Sequence, residues 1–126
     1  MVILRDVVVL GSDDGMTQLY ALHLPNPHLE TRAALPGHTA GVLCCAASST
    51  WSIAVTGSAD HSVIVWDLNR CRFVRQLKEP DQPIQLVAID DQRGWIAAAA
   101  GSEVWVWSIN GFLLVHQSTR SALSLI

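Results

Sequence analysis

In the stretch Ile53-Ala54-Val55-Thr56-Gly57-Ser58-Ala59-Asp60-His61-Ser62-Val63-Ile64-Val65-Trp66-Asp67-Leu68, two apolar runs of strand length flank the turn residues Ser58-Ala59-Asp60-His61. Short Val- and Ile-rich runs joined by small and Asx-type residues read as a β-hairpin. Forty-six residues earlier the chain runs Val7-Val8-Val9-Leu10-Gly11-Ser12-Asp13-Asp14-Gly15-Met16-Thr17-Gln18-Leu19-Tyr20-Ala21-Leu22. The two stretches align without a gap. Gly11, Ser12, Asp14 and Tyr20 fall on Gly57, Ser58, Asp60 and Trp66. A third copy, Gly101-Ser102-Glu103-Val104-Trp105-Val106-Trp107-Ser108-Ile109-Asn110, places Trp107 41 residues after Trp66, with a turn shorter by three.

The rest of the chain has the same texture. Val, Ile and Thr supply 27 of its 126 residues, clustered between Pro25-Asn26-Pro27, Leu35-Pro36-Gly37-His38, Glu79-Pro80-Asp81-Gln82-Pro83, Asp90-Asp91-Gln92-Arg93-Gly94 and Asn110-Gly111. Between these turns strands are expected near 6–11, 17–22, 29–34, 42–47, 52–57, 62–67, 72–77, 84–89, 94–100, 103–108, 112–117 and 121–126. The run Ala97-Ala98-Ala99-Ala100 favours helix by propensity, but its length and flanks favour strand. A period of 40 to 46 residues with four strands per unit is that of a β-propeller blade.

Composition excludes several classes of function. Half of the residues are hydrophobic and the net charge is −3, the opposite of a disordered chain. The longest apolar runs, 42–47 and 95–100, are too short to cross a bilayer, and Arg5-Asp6 interrupts the apolar start before it can form a secretory signal. The chain is expected to stay in the cytosol. A pI near 5.9 argues against non-specific binding of nucleic acid. Three cysteines, Cys44, Cys45 and Cys71, are too few for a disulfide framework, and reduced thiols are expected.

The repeat from Gly37-His38 through Thr56 and Asp60 to Trp66-Asp67 resembles a WD repeat. In that family the four side chains form a hydrogen-bonded tetrad, which implies a structural role for His38, Thr56, Asp60 and Trp66. The chemistry is coherent: a carboxylate accepts from a histidine, whose other ring nitrogen meets a threonine hydroxyl, which meets an indole N–H. The other copies are degenerate. Leu10 stands for the threonine and Tyr20 for the tryptophan in the first, and the third lacks both the turn aspartate and a preceding Gly-His. A wider resemblance covers residues 35–115: Leu35-Pro36-Gly37-His38-Thr39, Val42-Leu43-Cys44, Ile64-Val65-Trp66-Asp67-Leu68-Asn69 and Val106-Trp107-Ser108-Ile109-Asn110-Gly111 are similar to the C-terminal WD repeats of BEACH-domain proteins, most of all the WD-repeat and FYVE-domain branch. That resemblance implies a scaffold of vesicle trafficking or selective autophagy. With no Cys-x-x-C pair, the chain holds no FYVE zinc site.

The expected fold is all-β, a partial WD40 propeller of about three four-stranded antiparallel blades that do not close. Residues 1–36 would form a partial blade (strands b to d), 37–80 a complete one, 81–119 a degenerate one, and 120–126 the first strand of the next. Such an arc is expected from a fragment or a short isoform. The function expected is non-catalytic protein binding, with no cofactor, through the loops near Thr39, Ala40, Ser58, Ala59 and His61; the partners are other proteins, including the remaining blades or a BEACH domain. Two alternatives stand beside it. One is contact of Arg70, Arg72, Arg75 and Lys78 with acidic phospholipid, placing the chain peripherally on endomembranes. The other is a regulatory part of a larger enzyme. A thiol nucleophile on Cys44 or Cys45 is disfavoured because both sit inside a strand and His38 belongs to the tetrad. A zinc site from His38, Cys44, Cys45 and His61 fails because adjacent strand residues face opposite ways. Trp105 should pack beside Trp107, whereas Trp51, in a loop, is the better candidate for exposure.

Overall fold

The computed structural model describes residues 2–4 and 6–118, and among them there is no helix. Twelve strands follow in order: β1 (Val2–Leu4), β2 (Val7–Gly11), β3 (Thr17–His23), β4 (His28–Leu35), β5 (Val42–Ser48), β6 (Ile53–Ser58), β7 (Val63–Asp67), β8 (Arg72–Leu77), β9 (Leu86–Asp90), β10 (Trp95–Ala100), β11 (Glu103–Trp107) and β12 (Leu113–Ser118). They form three four-stranded antiparallel sheets, β1 to β4, β5 to β8 and β9 to β12, each a meander of sequence neighbours. The polyalanine run is the second strand of the third sheet, paired on both sides. Tertiary pairing overrides its helix propensity.

The opening segment departs from the sequence expectation. It carries four strands rather than three, because Val2 and Ile3 pair with Val9 and Val8. A three-residue strand is too short to show alternation and owes its existence to its neighbour. The strand expected at 121–126 lies outside the described residues.

Each sheet has one face toward the chain's start and one toward its end, here the N-side and C-side faces. Val9 and Leu19 on the C-side face of the first sheet join Ala54, Ile64, Trp66 and Leu68 on the N-side face of the second in one buried cluster. Val55, Val63, Val65 and Leu77 on the C-side face of the second sheet join Val87, Ile96, Ala98, Trp105 and Trp107 on the N-side face of the third. The middle sheet is therefore covered on both sides, and every residue of β6 is buried. Cys45 packs on one cluster and Cys44 on the other, as alternation along β5 requires.

The repeated Gly-Ser has a steric cause. A Cβ on Gly57 would lie 2.4 Å from Ile84 Cγ2, and one on Gly11 would lie 2.3 Å from Val42 Cγ1. At this position the chain entering the next sheet crosses the hairpin too closely for any side chain.

Candidate functional site

The turn between β6 and β7 is closed by its own polar side chains. The Asp60 Oδ1 accepts from the Ser62 N–H at 2.9 Å and the Ser62 hydroxyl at 2.6 Å, while the Asp60 N–H donates to Ser58 Oγ at 3.1 Å. These bonds hold His61 in the left-handed region at φ 73°. The other carboxylate oxygen reaches out of the turn. Asp60 Oδ2 accepts from the Thr39 N–H at 2.9 Å and lies 3.1 Å from His38 Nδ1. His38 Nε2 is 2.7 Å from Thr56 Oγ1, which also accepts the Trp66 indole N–H at 2.9 Å. One assignment satisfies every atom: Trp66 donates to Thr56, Thr56 donates to a neutral His38, and His38 Nδ1–H donates to Asp60. The four side chains expected together are thus brought together, tying β6, β7 and the chain ahead of β5.

Electrostatics follow from the same contacts. Burial holds His38 below its ordinary value, although the Asp60 hydrogen bond and charge pull it up. For Asp60 burial pushes upward, but the bonds from Ser62, Thr39 and His38 together outweigh it and keep the carboxyl below its usual range. A neutral imidazole therefore sits against an ionised carboxylate.

Two further members, Ser62 and Gln76, escaped sequence reading. Ser62 lies between Asp60 and Gln76, accepting from Gln76 Nε2 at 2.9 Å, and so links the turn to β8. Asp60-His61-Ser62, with a hydroxyl two residues after an Asx, was the available signal. Ser58 was expected on the contact surface and is not there. It is fully buried, its hydroxyl 2.9 Å from the Gly41 carbonyl and 3.1 Å from that of Ala40. Thr39 and His61 are exposed, and Ala40 and Ala59 half-buried. Together with Gln76, Lys78 and Pro80, Thr39 and His61 line an open groove beside the tetrad.

The degenerate copies keep parts of this device. In the first sheet Asp14 still closes its turn by accepting from the Met16 N–H at 3.0 Å, and that bond lowers its pKa. The Tyr20 hydroxyl bonds Gln18 instead of a threonine. In the third sheet Ala98 stands two residues past the partner of Trp107, as Thr56 does past that of Trp66. The Trp107 indole N–H finds Glu79 Oε1 at 2.8 Å, a carboxylate taking over the hydroxyl's part.

The remaining expected residues are scattered. Trp105 is buried in the same cluster as Trp107 and stacks on His116 at 4.8 Å. Trp51 is 39% exposed, yet its indole N–H donates to the Asp91 carbonyl at 2.9 Å and its ring covers Gly94, so it clamps the second sheet to the third. The four basic residues do not make one patch. Arg75 donates to the Asn110 carbonyl in the crease between sheets, Lys78 lines the groove, and Arg70 lies beyond the other end of β8. A six-residue strand separates Arg70 from Lys78 by about 20 Å. Burial pushes the Cys44 thiol up to about 11, far from a thiolate nucleophile. Among the described residues no group of three or more His, Cys, Asp or Glu is placed to hold a metal ion, and no helix is long and apolar enough to cross a membrane.

The family described as "WD domain, G-beta repeat" matches residues 29–67, the segment that contains the tetrad. Over 109 residues, 83% of the chain, the sequence is 38% identical to BEACH domain-containing protein A2 of Arabidopsis thaliana. It is 41% identical over 91 residues, 72% of the chain, to human WD repeat- and FYVE domain-containing protein 4. It is 32% identical over 100 residues, 75% of the chain, to human Lysosomal-trafficking regulator. The chain spans about 3% of the length of each of these relatives. With three antiparallel sheets in series, one full Gly-His to Trp-Asp repeat and these relatives, the chain belongs to the WD40-repeat family and is similar over most of its length to segments of BEACH-domain proteins.

Proposed function

We propose that the chain is a non-catalytic protein-binding scaffold segment that presents Thr39, Ala40, Ala59 and His61 to a partner protein. The observation that carries this reading is the rigidity of the backbone beneath those side chains. Thr39 donates to Asp60, Ala59 donates to the Gly41 carbonyl at 3.0 Å, and the hydroxyl of Ser58 holds the carbonyls of Ala40 and Gly41. A loop pinned by hydrogen bonds offers its outward side chains for recognition without loss to the core. WD repeats generally mediate contacts between proteins, which supports the same reading. The remaining blades or a BEACH domain are the partners that the relatives suggest. A role in vesicle trafficking or selective autophagy, peripheral to endomembranes, is supported by the relative named for lysosomal trafficking.

The test is affinity capture with the 126-residue chain and with a Thr39→Arg, Ala59→Arg variant that leaves the tetrad untouched. Proteins held by the wild type should be lost by the variant. Equal capture by both would overturn the assignment of this surface, and co-fractionation of the tagged chain with endomembranes would test the trafficking role separately.

A further inference from the structure

We propose, resting on the contact surface assigned above, that the groove beside the tetrad receives an acidic side chain of the partner protein, with Lys78 as its ionic anchor and the Thr39 hydroxyl and His61 ring as its hydrogen-bonding neighbours.

The groove has a volume of about 390 Å³, and every residue lining it lies between Gly37 and Pro80. It is built by the second sheet, the chain leading into β5 and the chain leaving β8. Its shape therefore needs no residue from either end of the chain. The backbone beneath it is held by the bonds of Asp60 to Thr39, Ser58 and Ser62, so the lining is in place before a partner arrives.

The polar groups of the lining divide into engaged and unengaged. Asp60 is its only carboxylate, with a side chain 6% exposed. One of its oxygens is filled by Ser62 and the other by Thr39 and His38. Ser62 is 3% exposed, donating to Asp60 and accepting from Gln76. What remains, on residues that are all exposed, is the Lys78 ammonium, the Thr39 hydroxyl and the His61 ring. None of these three groups has a hydrogen bond or ion pair among the described residues.

Charge points the same way. Lys78 is the one cation of the lining, and no exposed carboxylate faces it there. Glu79, next in the chain, gives Oε1 to the Trp107 indole in the junction with the third sheet, and Asp81 lies past Pro80, outside the lining. In a chain of net charge −3, a cation is left uncompensated in this groove. A carboxylate takes charge-assisted bonds from an ammonium and a hydroxyl together, whereas a neutral amide of the same shape forgoes the charge. A basic side chain would meet Lys78 as a like charge.

The experiment is nuclear magnetic resonance of the nitrogen-labelled 126-residue chain, titrated with a blocked peptide that carries two glutamates between glycines. The backbone amides of Thr39 and His61 and the side-chain amide of Gln76 should shift, and the glutamine counterpart of the peptide should leave them still. Lys78→Glu should weaken binding roughly tenfold, and Lys78→Arg should keep it within about twofold. Arg70→Glu, beyond the other end of β8, should bind as the wild type does. Sodium chloride at about 0.5 M should suppress the wild-type shifts, a check that holds even if Lys78→Glu fails to fold. Absence of shifts, an equal response to both peptides, binding that survives Lys78→Glu or high salt, or loss in Arg70→Glu would each overturn the proposal. Inorganic phosphate giving the same shifts at the same concentration would assign the groove to a free anion and overturn it too. If the glutamate peptide does not bind while capture is still lost in the Thr39→Arg, Ala59→Arg variant, the contact surface stands and this ligand chemistry falls. Capture indifferent to that variant removes the surface itself.

Discussion

Both Asp60 oxygens are engaged, one inside the turn by Ser62 and the other outside it by Thr39 and His38. Asp60→Ala strands the Thr39 N–H, the Ser62 N–H and the His38 ring together. The expected loss is about 1 to 3 kcal/mol. Asp13→Ala, at an exposed neighbour of the Asp14 turn, should change little. Denaturant melts of the two variants check the difference, and equal losses would mean that the repeat register is misplaced. The same residues set a dependence on pH. His38 is held neutral, below its ordinary 6.5, so just under that pH the unfolded chain binds a proton that the folded chain refuses. Stability therefore rises with pH in this window and falls as pH drops below 6.5. Asp60, lowered from 3.8, adds its own loss in stronger acid, in the same direction. The denaturant midpoint should decrease between pH 7 and 5, and His38→Gln should flatten that slope. An unchanged slope would place the imidazole in solvent.

Among the elements, β5 and β6 are the most constrained. Cys44 and Cys45 face opposite clusters on β5, and the Cys44 thiol is pushed up to about 11 by burial. An aromatic disulfide reagent should label Cys44 far more slowly than a free thiol in the folded chain, with Cys45 also slow. Labelling at the free rate would move β5 out of the sheet. Gly57→Ala should destabilise by about 1 to 3 kcal/mol, since its Cβ would sit 2.4 Å from Ile84 Cγ2 and 2.8 Å from Cys44 Sγ in a core that is already filled. A thermal melt unchanged by this substitution would show that β9 does not enter against the β6–β7 hairpin. Element type was legible in the sequence wherever turn chemistry bracketed an apolar run, as at 53–58 and 63–67. It was hidden at Val2–Leu4, where three residues carry no period and only pairing with β2 makes a strand.

At the scale of the whole molecule, the N-side face of the first sheet and the C-side face of the third have no sheet packed against them among the described residues. At about 25 cal/mol per Å², each 400 Å² of apolar face left in water forgoes roughly 10 kcal/mol, comparable to the net stability of a whole domain. The 126-residue chain by itself should therefore melt at a lower temperature than the same segment flanked by further blades. An equal melting temperature for both would show that the end faces need no cover.

The repeat fixed by Gly57-Ser58, Asp60 and Trp66 was enough to establish an all-β chain of blade-like units, because hairpin spacing and turn residues are local properties written in consecutive positions. The meeting of His38 with Asp60, 22 residues away, was legible through the resemblance to a WD repeat, since no other copy in the chain keeps all four side chains. What belonged to the tertiary structure alone were contacts without a local signature. Ser58 turns inward because the carbonyls of Ala40 and Gly41 arrive from the loop ahead of β5. Glu79 answers the Trp107 indole from 28 residues away, and Arg75 is spent in a crease rather than on a surface. Donors and acceptors find each other only after the sheets have stacked, and no periodicity of the chain records which sheet will lie against which.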